Sequence, residues 1–351
     1  MNSVSGRRLT LAEVDRGCHA VLEGFGFSAA LSSALTGRIR RAEHFGIASH
    51  GLAMLARYRE CALSGRVNLA PVPKAFSPRP GFMVVDCENS FAALGFEQVQ
   101  ADFAARTRAQ GVACLVTQNA YHLSALGLDI LPLAEKGLMA IAMTGTAPWI
   151  VPHGGDRPIL GTNPVAFACP RRDQEPLLWD QASSVISISD VQVAQRQGRT
   201  TNMKAGLDRQ GMPTDDPGEI LASRKLLPFG GHKGSAIALM VELLTAGLSG
   251  GRFAVDYDKS RNGPANSAGQ FYLAIDPSAV SGNFTAHIET VLDAFAGNGV
   301  ARIPGDGRFA RQSQAQTDGV PVSDDLWARL VEWGWPEAGR VCDGAPLPPG
   351  Q

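Results

Sequence analysis

Hydrophobic positions in the first sixty residues recur at helical spacing. Thr10 followed by Glu13 makes a capping box, in which each side chain satisfies a free donor at a helix start. Ser28 caps a second helix that runs to about Phe45 and carries Leu31, Leu35 and Ile39 on one face. A third helix covers residues 53–63 and stops near Gly65. Residues 70–80 are rich in proline, too stiff for helix, and read as a connector at a lobe boundary.

The pattern then changes period. Short apolar runs at 82–86, 112–116, 138–143 and 177–180 read as strands, and helix-like stretches lie at 96–110 and 126–136. Strands alternating with helices predict an α/β layer. Residues 196–230 are polar and rich in Gly, Pro and Asp, and read as loop. A strongly apolar helix follows at 234–248, then a strand at 270–275 and an amphipathic helix at 286–295. A tryptophan-bearing helix at 324–334 precedes a Pro/Gly-rich terminus of the mobile kind.

Composition narrows the class. With 351 residues, 44% hydrophobic and 19% charged, the chain reads as a globular protein of two or three lobes. A formal net charge of −1 leaves no basic excess for nucleic acid. The N-terminus lacks the apolar core of a signal peptide, and no apolar run is long enough to span a membrane. Cys18, Cys61, Cys87, Cys114, Cys169 and Cys342 are scattered without C-x-x-C spacing. That argues against a zinc site or a disulfide framework and for a cytoplasmic location.

Several stretches carry chemistry. Ser49-His50-Gly51 sits between two helices and sets an imidazole beside a hydroxyl, a pair suited to proton transfer or, more plainly, a surface histidine by a turn serine. Residues 24–29 fit the letters G-x-G-x-x-A but join two helices, so they read as a helix stop followed by the Ser28 cap. Gly230-Gly231-His232-Lys233-Gly234 looks partly like a phosphate loop, although His232 occupies its final glycine position. Paired glycines and Lys233 at the start of an apolar helix favour an anion; an exposed lysine on a flexible loop is the plainer reading. His122 and Thr146 both follow strands, where ligands collect in α/β layers. Thr162 lies in a turn and can donate to a carboxylate or satisfy the turn itself. Asp180, at a strand end, can accept from a ribose or amide, and Asp190 is a second buried-carboxylate candidate; capping is the alternative for each. No spacing makes a metal site.

Ser49-His50-Gly51, His122 and residues 151–155, 161–167, 180–184, 230–234 and 303–306, taken in order over nearly the whole chain, resemble the malate/L-lactate dehydrogenase family of NAD(P)-dependent oxidoreductases. Residues 190–194, 211–214 and 227–236 look closest to its Δ1-piperideine-2-carboxylate/Δ1-pyrroline-2-carboxylate reductase branch. The resemblance implies an α/β fold with an unusual, non-Rossmann cofactor-binding sheet lobe and a helical lobe joining the two ends of the chain. The expected division is 1–75 (helical, with the catalytic pair), 76–300 (cofactor-binding) and 301–351 (packing back on the helical lobe).

It further implies NADPH-dependent reduction of a cyclic imino acid by a homodimer, with His50 as proton donor and Ser49 as its charge-relay partner. NADH is the alternative cofactor, and a 2-hydroxyacid dehydrogenase the alternative activity. The implied cofactor set is His122, Leu123, Ser124, Ala125, Leu126, Thr146, Asp180, Gln181, Ala182, His232, Lys233, Arg302, Ile303, Pro304, Gly305, Asp306, Gly307 and Arg308. The substrate set is Thr162, Arg57 and Asp190. The pattern departs from the family at Met54, where relatives usually carry an arginine that pairs with the substrate carboxylate; Arg57 lies three residues on, close to the same helical face. Ala120, Tyr121 and Ile188 also differ from the residues usual in the reductase branch.

Overall fold

The structure is a computed structural model that describes residues 7–257, 267–299 and 302–336. After the short strand β1 (Arg8–Leu9), α1 (Leu11–Gly24) opens on the expected capping box: the Thr10 hydroxyl accepts from Glu13 N, and the Glu13 carboxylate accepts from Thr10 N. α2 (Ala29–His44) opens on Ser28, whose hydroxyl accepts from Leu31 N. Two single 3-10 turns, Ala48–His50 and Leu52–Met54, lead into α3 (Leu55–Leu63).

The main sheet has seven strands: β2 (Lys74–Arg79), β3 (Phe82–Phe91), β4 (Val112–Tyr121), β5 (Met139–Thr144), β8 (Val165–Cys169), β9 (Leu177–Gln181) and β12 (Gln270–Ile275). Two short ladders lie outside it, β6 (Pro148–Ile150) with β7 (Leu160–Gly161), and β10 (Gly206–Leu207) with β11 (Pro213–Thr214). The order in the main sheet is β2-β3-β4-β12-β5-β8-β9, and among the described residues only β3 and β4 pair in parallel. They are joined through α4 (Ala92–Gln110) in a crossover of the βαβ kind. Following the antiparallel pairings outward, β3, β4, β5 and β9 all point the same way. Their carboxyl ends therefore share one edge of the sheet, where β8 and β12 begin.

Helices α4 and α5 (Gly127–Glu135) cover one face, and Phe96, Phe103, Leu128 and Leu131 pack there against Leu115, Ala140, Ala166 and Tyr272. α8 (His232–Glu242) covers the other; it follows α6 (Ile188–Arg196) and α7 (Pro217–Ser223) and runs on into a π-helical turn, Leu243–Gly247. The C-terminal part contains α9 (Phe284–Ala296), α10 (Asp306–Asp318), β13 (Val320–Pro321) and α11 (Asp324–Glu332). β13 pairs with β1, and Val320, Leu330 and Trp335 join Val14, Leu22, Leu35 and Leu55 in one apolar cluster. The helical part thus closes on both ends of the described chain.

The structure corrects the sequence reading in places. The proline-rich connector contains β2, exposed along its length. Proline is tolerated there because an edge strand need not donate on its outer side, and the register slips around Pro78. The stretch read as loop at 196–230 holds α7, signalled by Asp216 as cap and Pro217 in the first turn. β8, α6 and α10 carried too little periodicity to be read. The terminal segment beyond residue 336, with Cys342, lies outside the described residues.

The closure of the two ends makes a prediction. A Cβ at Gly17 would overlap the ring of Trp335. Gly17→Ala is expected to cost about 1–3 kcal/mol of stability, the range for overpacking a core, measured by urea denaturation.

Candidate functional site

The Ser49–His50 turn is held from below. Glu43, in the last turn of α2, is buried, and its Oε1 accepts from Leu52 N at 2.6 Å. Its carboxyl lies so close to Gly51 that any Cβ there would overlap it, which explains the glycine of the triplet. Burial pushes the Glu43 carboxyl up to about 7, against the pull of the Leu52 N–H. Above it, Ser49 Oγ stands 3.0 Å from His50 Nδ1.

His50 is half-buried, and burial lowers its pKa below the usual 6.5. The charge of Asp180 pulls it back up; those of His122 and Arg308 press it further down. Four residues from four distant segments are thus near enough for three of them to act on the fourth, His50. Strand direction gathers three of them: His122 follows β4, Asp180 lies in β9, and the segment carrying Arg308 packs on β9. Leu178 N donates to Pro304 O at 3.0 Å, and Gly305, at φ +109°, leaves no room for a side chain against the Leu178 backbone.

Asp180 Oδ2 accepts from Gly127 N, the first residue of α5, at 2.9 Å. A carboxylate is favoured at this helix end. Arg308 Nη1 reaches the same place: it is buried and has no hydrogen-bond partner among the described residues. An orphaned guanidinium N–H beside a helix N-terminus fits an anionic ligand.

Beneath this edge lies a buried charge network that the sequence reading missed. Asp129 accepts from Arg38 Nη1 at 2.6 Å on one oxygen, and from His122 Nε2 at 2.9 Å and the Tyr272 hydroxyl at 3.1 Å on the other. Burial raises the Asp129 pKa, but Arg38, His122 and Tyr272 outweigh it and hold the carboxyl below its usual range. Asp129 can only accept, so His122 Nε2 carries the proton; Ser124 Oγ is 3.2 Å from the same nitrogen. The signal was present: Asp129 is a lone charge in an apolar run.

A second group lies along the same edge. Thr162 N donates to Thr146 Oγ1 at 2.8 Å, and the two hydroxyls are 3.1 Å apart. Ser183 N donates to Thr162 O, and Phe229 N to Ser183 O, tying the glycine loop to the threonines. His232 and Lys233 open α8 and are exposed, with the His232 ring 6.2 Å from that of His153.

The other expected residues are placed as follows. Leu123 O accepts from the Tyr58 hydroxyl. Ala125, Leu126 and Ile303 are buried, the first two in the main core, so their side chains serve packing. Gln181 is exposed at the end of β9, and Ala182 is half-buried. Arg302 is exposed beside Gly307. Asp306 pairs with Arg171 at 3.5 Å. Asp190 is not buried as expected: it is exposed in the first turn of α6, where its carboxylate accepts from the Ser187 hydroxyl at 2.7 Å as part of that helix's cap. Arg57 pairs with Glu60 at 2.5 Å on α3. Met54 is packed into the helical core.

A family model described as malate/L-lactate dehydrogenase matches residues 9–331. A Δ1-pyrroline-2-carboxylate/Δ1-piperideine-2-carboxylate reductase of Pseudomonas syringae pv. tomato is 37% identical over 88% of this chain and 90% of its own length. The protein of the same name from Pseudomonas putida is 34% identical over 93% and 96%. The crystal structure of Δ1-piperideine-2-carboxylate reductase from P. syringae pv. tomato superposes with a TM-score of 0.90 at 34% identity, covering 93% of this chain and 100% of that one.

The Asp129 network generates a prediction. Asp129→Asn leaves the Arg38 guanidinium buried without its counter-charge. A loss of about 3–5 kcal/mol in urea denaturation is expected; a loss below about 1 kcal/mol would show that Arg38 is not left as an uncompensated buried charge.

Proposed function

The chain belongs to the malate/L-lactate dehydrogenase family, and from that premise we propose that it is an NADPH-dependent reductase of a cyclic imino acid of the Δ1-piperideine-2-carboxylate or Δ1-pyrroline-2-carboxylate type. It is an oxidoreductase that uses a nicotinamide cofactor. The observation that carries the finer reading is the unpartnered Arg308 Nη1 beside Asp180 and Gly127 at the start of α5, with His50 near enough for the charges of Asp180 and Arg308 to act on it.

The residues present fit the cofactor. The orphaned Arg308 Nη1 and the exposed Lys233 suit phosphate oxygens, while Asp180 and the backbone of 303–307 suit hydroxyl and amide groups. Arg302 adds the positive charge that an extra 2′-phosphate requires, which favours NADPH over NADH. The cofactor supplies a hydride to the imine carbon when bound. As negative charge builds on the substrate nitrogen, His50 hands it a proton. Ser49 engages Nδ1 and so leaves Nε2 for that transfer. With Met54 packed into the helical core, the substrate carboxylate falls to Arg57 and Thr162. Asp190, exposed in its cap, is left out of this set.

A homodimer would cover the apolar Leu239, Leu243 and Leu248 left on the outside of α8 and its π turn. A cytoplasmic location fits the free thiols of Cys18, Cys61, Cys87, Cys114 and Cys169. Among the described residues no helix is long and apolar enough to cross a membrane.

Assays of both cyclic imino acids against pyruvate and oxaloacetate, each with NADPH and NADH, test the assignment. Turnover of the keto acids alone would make this a 2-hydroxyacid dehydrogenase. His50→Ala is expected to lower kcat/KM by roughly 10²–10⁴ while the Kd for NADPH stays unchanged. A donor must be protonated, so reduction should decline as pH rises through the lowered His50 pKa, below 6.5. Asp180→Asn removes a charge that raises that pKa, so the decline should move to lower pH; a shift to higher pH would contradict the assignment.

A further inference from the structure

Glu242 is a single charged residue in the apolar stretch 234–248, and it is only 3% exposed. Three donors converge on it. Oε1 accepts from Asn163 Nδ2 at 2.9 Å and from Gly161 N at 3.4 Å; Oε2 accepts from Ala254 N at 3.0 Å. Two of these donors flank Thr162, and the third belongs to the segment that leads to Tyr257.

Asn163 is equally committed. It is fully buried, at φ +37°, a conformation that asparagine tolerates better than most residues. Its Oδ1 accepts from Thr146 N at 3.2 Å, its Nδ2 donates also to Ala238 O at 2.8 Å, and its carbonyl accepts from the Ser183 hydroxyl at 2.8 Å. A Cβ at Gly161 would overlap Asn163 Oδ1 and Thr146, so the turn allows only glycine there. Neither Glu242 nor Asn163 has a polar atom to spare for a ligand. What they do is set where the Thr146 and Thr162 hydroxyls stand. The chain leaves α-helical geometry directly after Glu242, in the π turn Leu243–Gly247, a feature frequent beside functional sites.

We propose that Glu242 and Asn163 are positioning residues for substrate recognition, one buried carboxyl tying the Thr162 turn to the segment at Ala254. The inference rests on the reading that Thr162 touches the substrate. Its consequence is that substrate affinity depends on two residues that never meet the substrate.

Conservative variants test this in the intact enzyme. Glu242→Gln has one acceptor oxygen where two are used, so a donor is left facing a donor. Asn163→Asp keeps the acceptor for Thr146 N but turns an oxygen toward both Glu242 and Ala238 O. In the double variant the new amide at position 242 donates to the new carboxylate at position 163, restoring that one contact with its polarity reversed, while Gly161 N and Ala238 O stay without their partners. Each single variant is expected to raise KM for Δ1-piperideine-2-carboxylate about tenfold or more, with kcat less affected and the Kd for NADPH unchanged; the double variant should recover part of the loss. Single variants that bind NADPH normally and keep the parent KM overturn the proposal, as does a double variant with the product of both losses. Should the singles fail to bind NADPH, the double decides: regained binding with KM near the parent value supports the pair, and no regain rejects it. Thr162→Val checks the underlying reading separately. If it leaves KM unchanged, Thr162 is not a substrate contact; if it raises KM while Glu242→Gln does not, the reading stands and the positioning role fails.

Discussion

One carboxylate joins the parts of this molecule. Asp129 lies on α5, takes Arg38 from α2, holds His122 beyond β4 and receives the hydroxyl of Tyr272 on β12. A buried ion pair adds little stability of its own, because desolvation offsets the attraction. Its value is directional. Arg38 can neutralise Asp129 only when α2 sits at one distance from α5, and His122 can reach Asp129 only from one ring orientation. The helical part that carries Ser49 and His50 is thereby indexed to the sheet edge that carries Asp180 and Arg308.

The same logic recurs at smaller scale around the Ser49–His50 turn. Glu43 fills the space that a side chain at residue 51 would need and holds the backbone of Leu52. Gly51 is therefore a packing requirement of the turn. His50 above it feels opposing influences: burial and the positive groups His122 and Arg308 favour the neutral ring, and Asp180 favours the imidazolium. On the proposed reading His50 is the proton donor, and Asp180 is the one of these influences that favours its protonated form.

On the proposed reading, recognition of the substrate is organised differently from cofactor binding. The cofactor side uses strand ends and helix N-termini, which present backbone groups at positions dictated by sheet topology. The substrate side would depend on side chains on turns, among them the Thr162 turn that Glu242 and Asn163 hold.

Much of this was legible along the chain. The Thr10 and Ser28 caps, the period of α1 and α2, and the apolar runs of β4, β5 and β12 follow from local chemistry, and the ordered motifs from Ser49 to Arg308 identified the family. Local chemistry could not pair the strands: whether β12 returns between β4 and β5 depends on contacts more than a hundred residues apart, and that return sets which ends share the site. It could not tell a buried carboxylate from a cap. Asp190 looked interior and is exposed on α6, while Asp129 and Glu242, inside helices, became the buried anchors. The sequence by itself determined which side chains carry the chemistry, because residue type limits what each can donate, accept or titrate. Only the tertiary structure decided which of them meet and in what charge environment, because distance and burial belong to the packed fold.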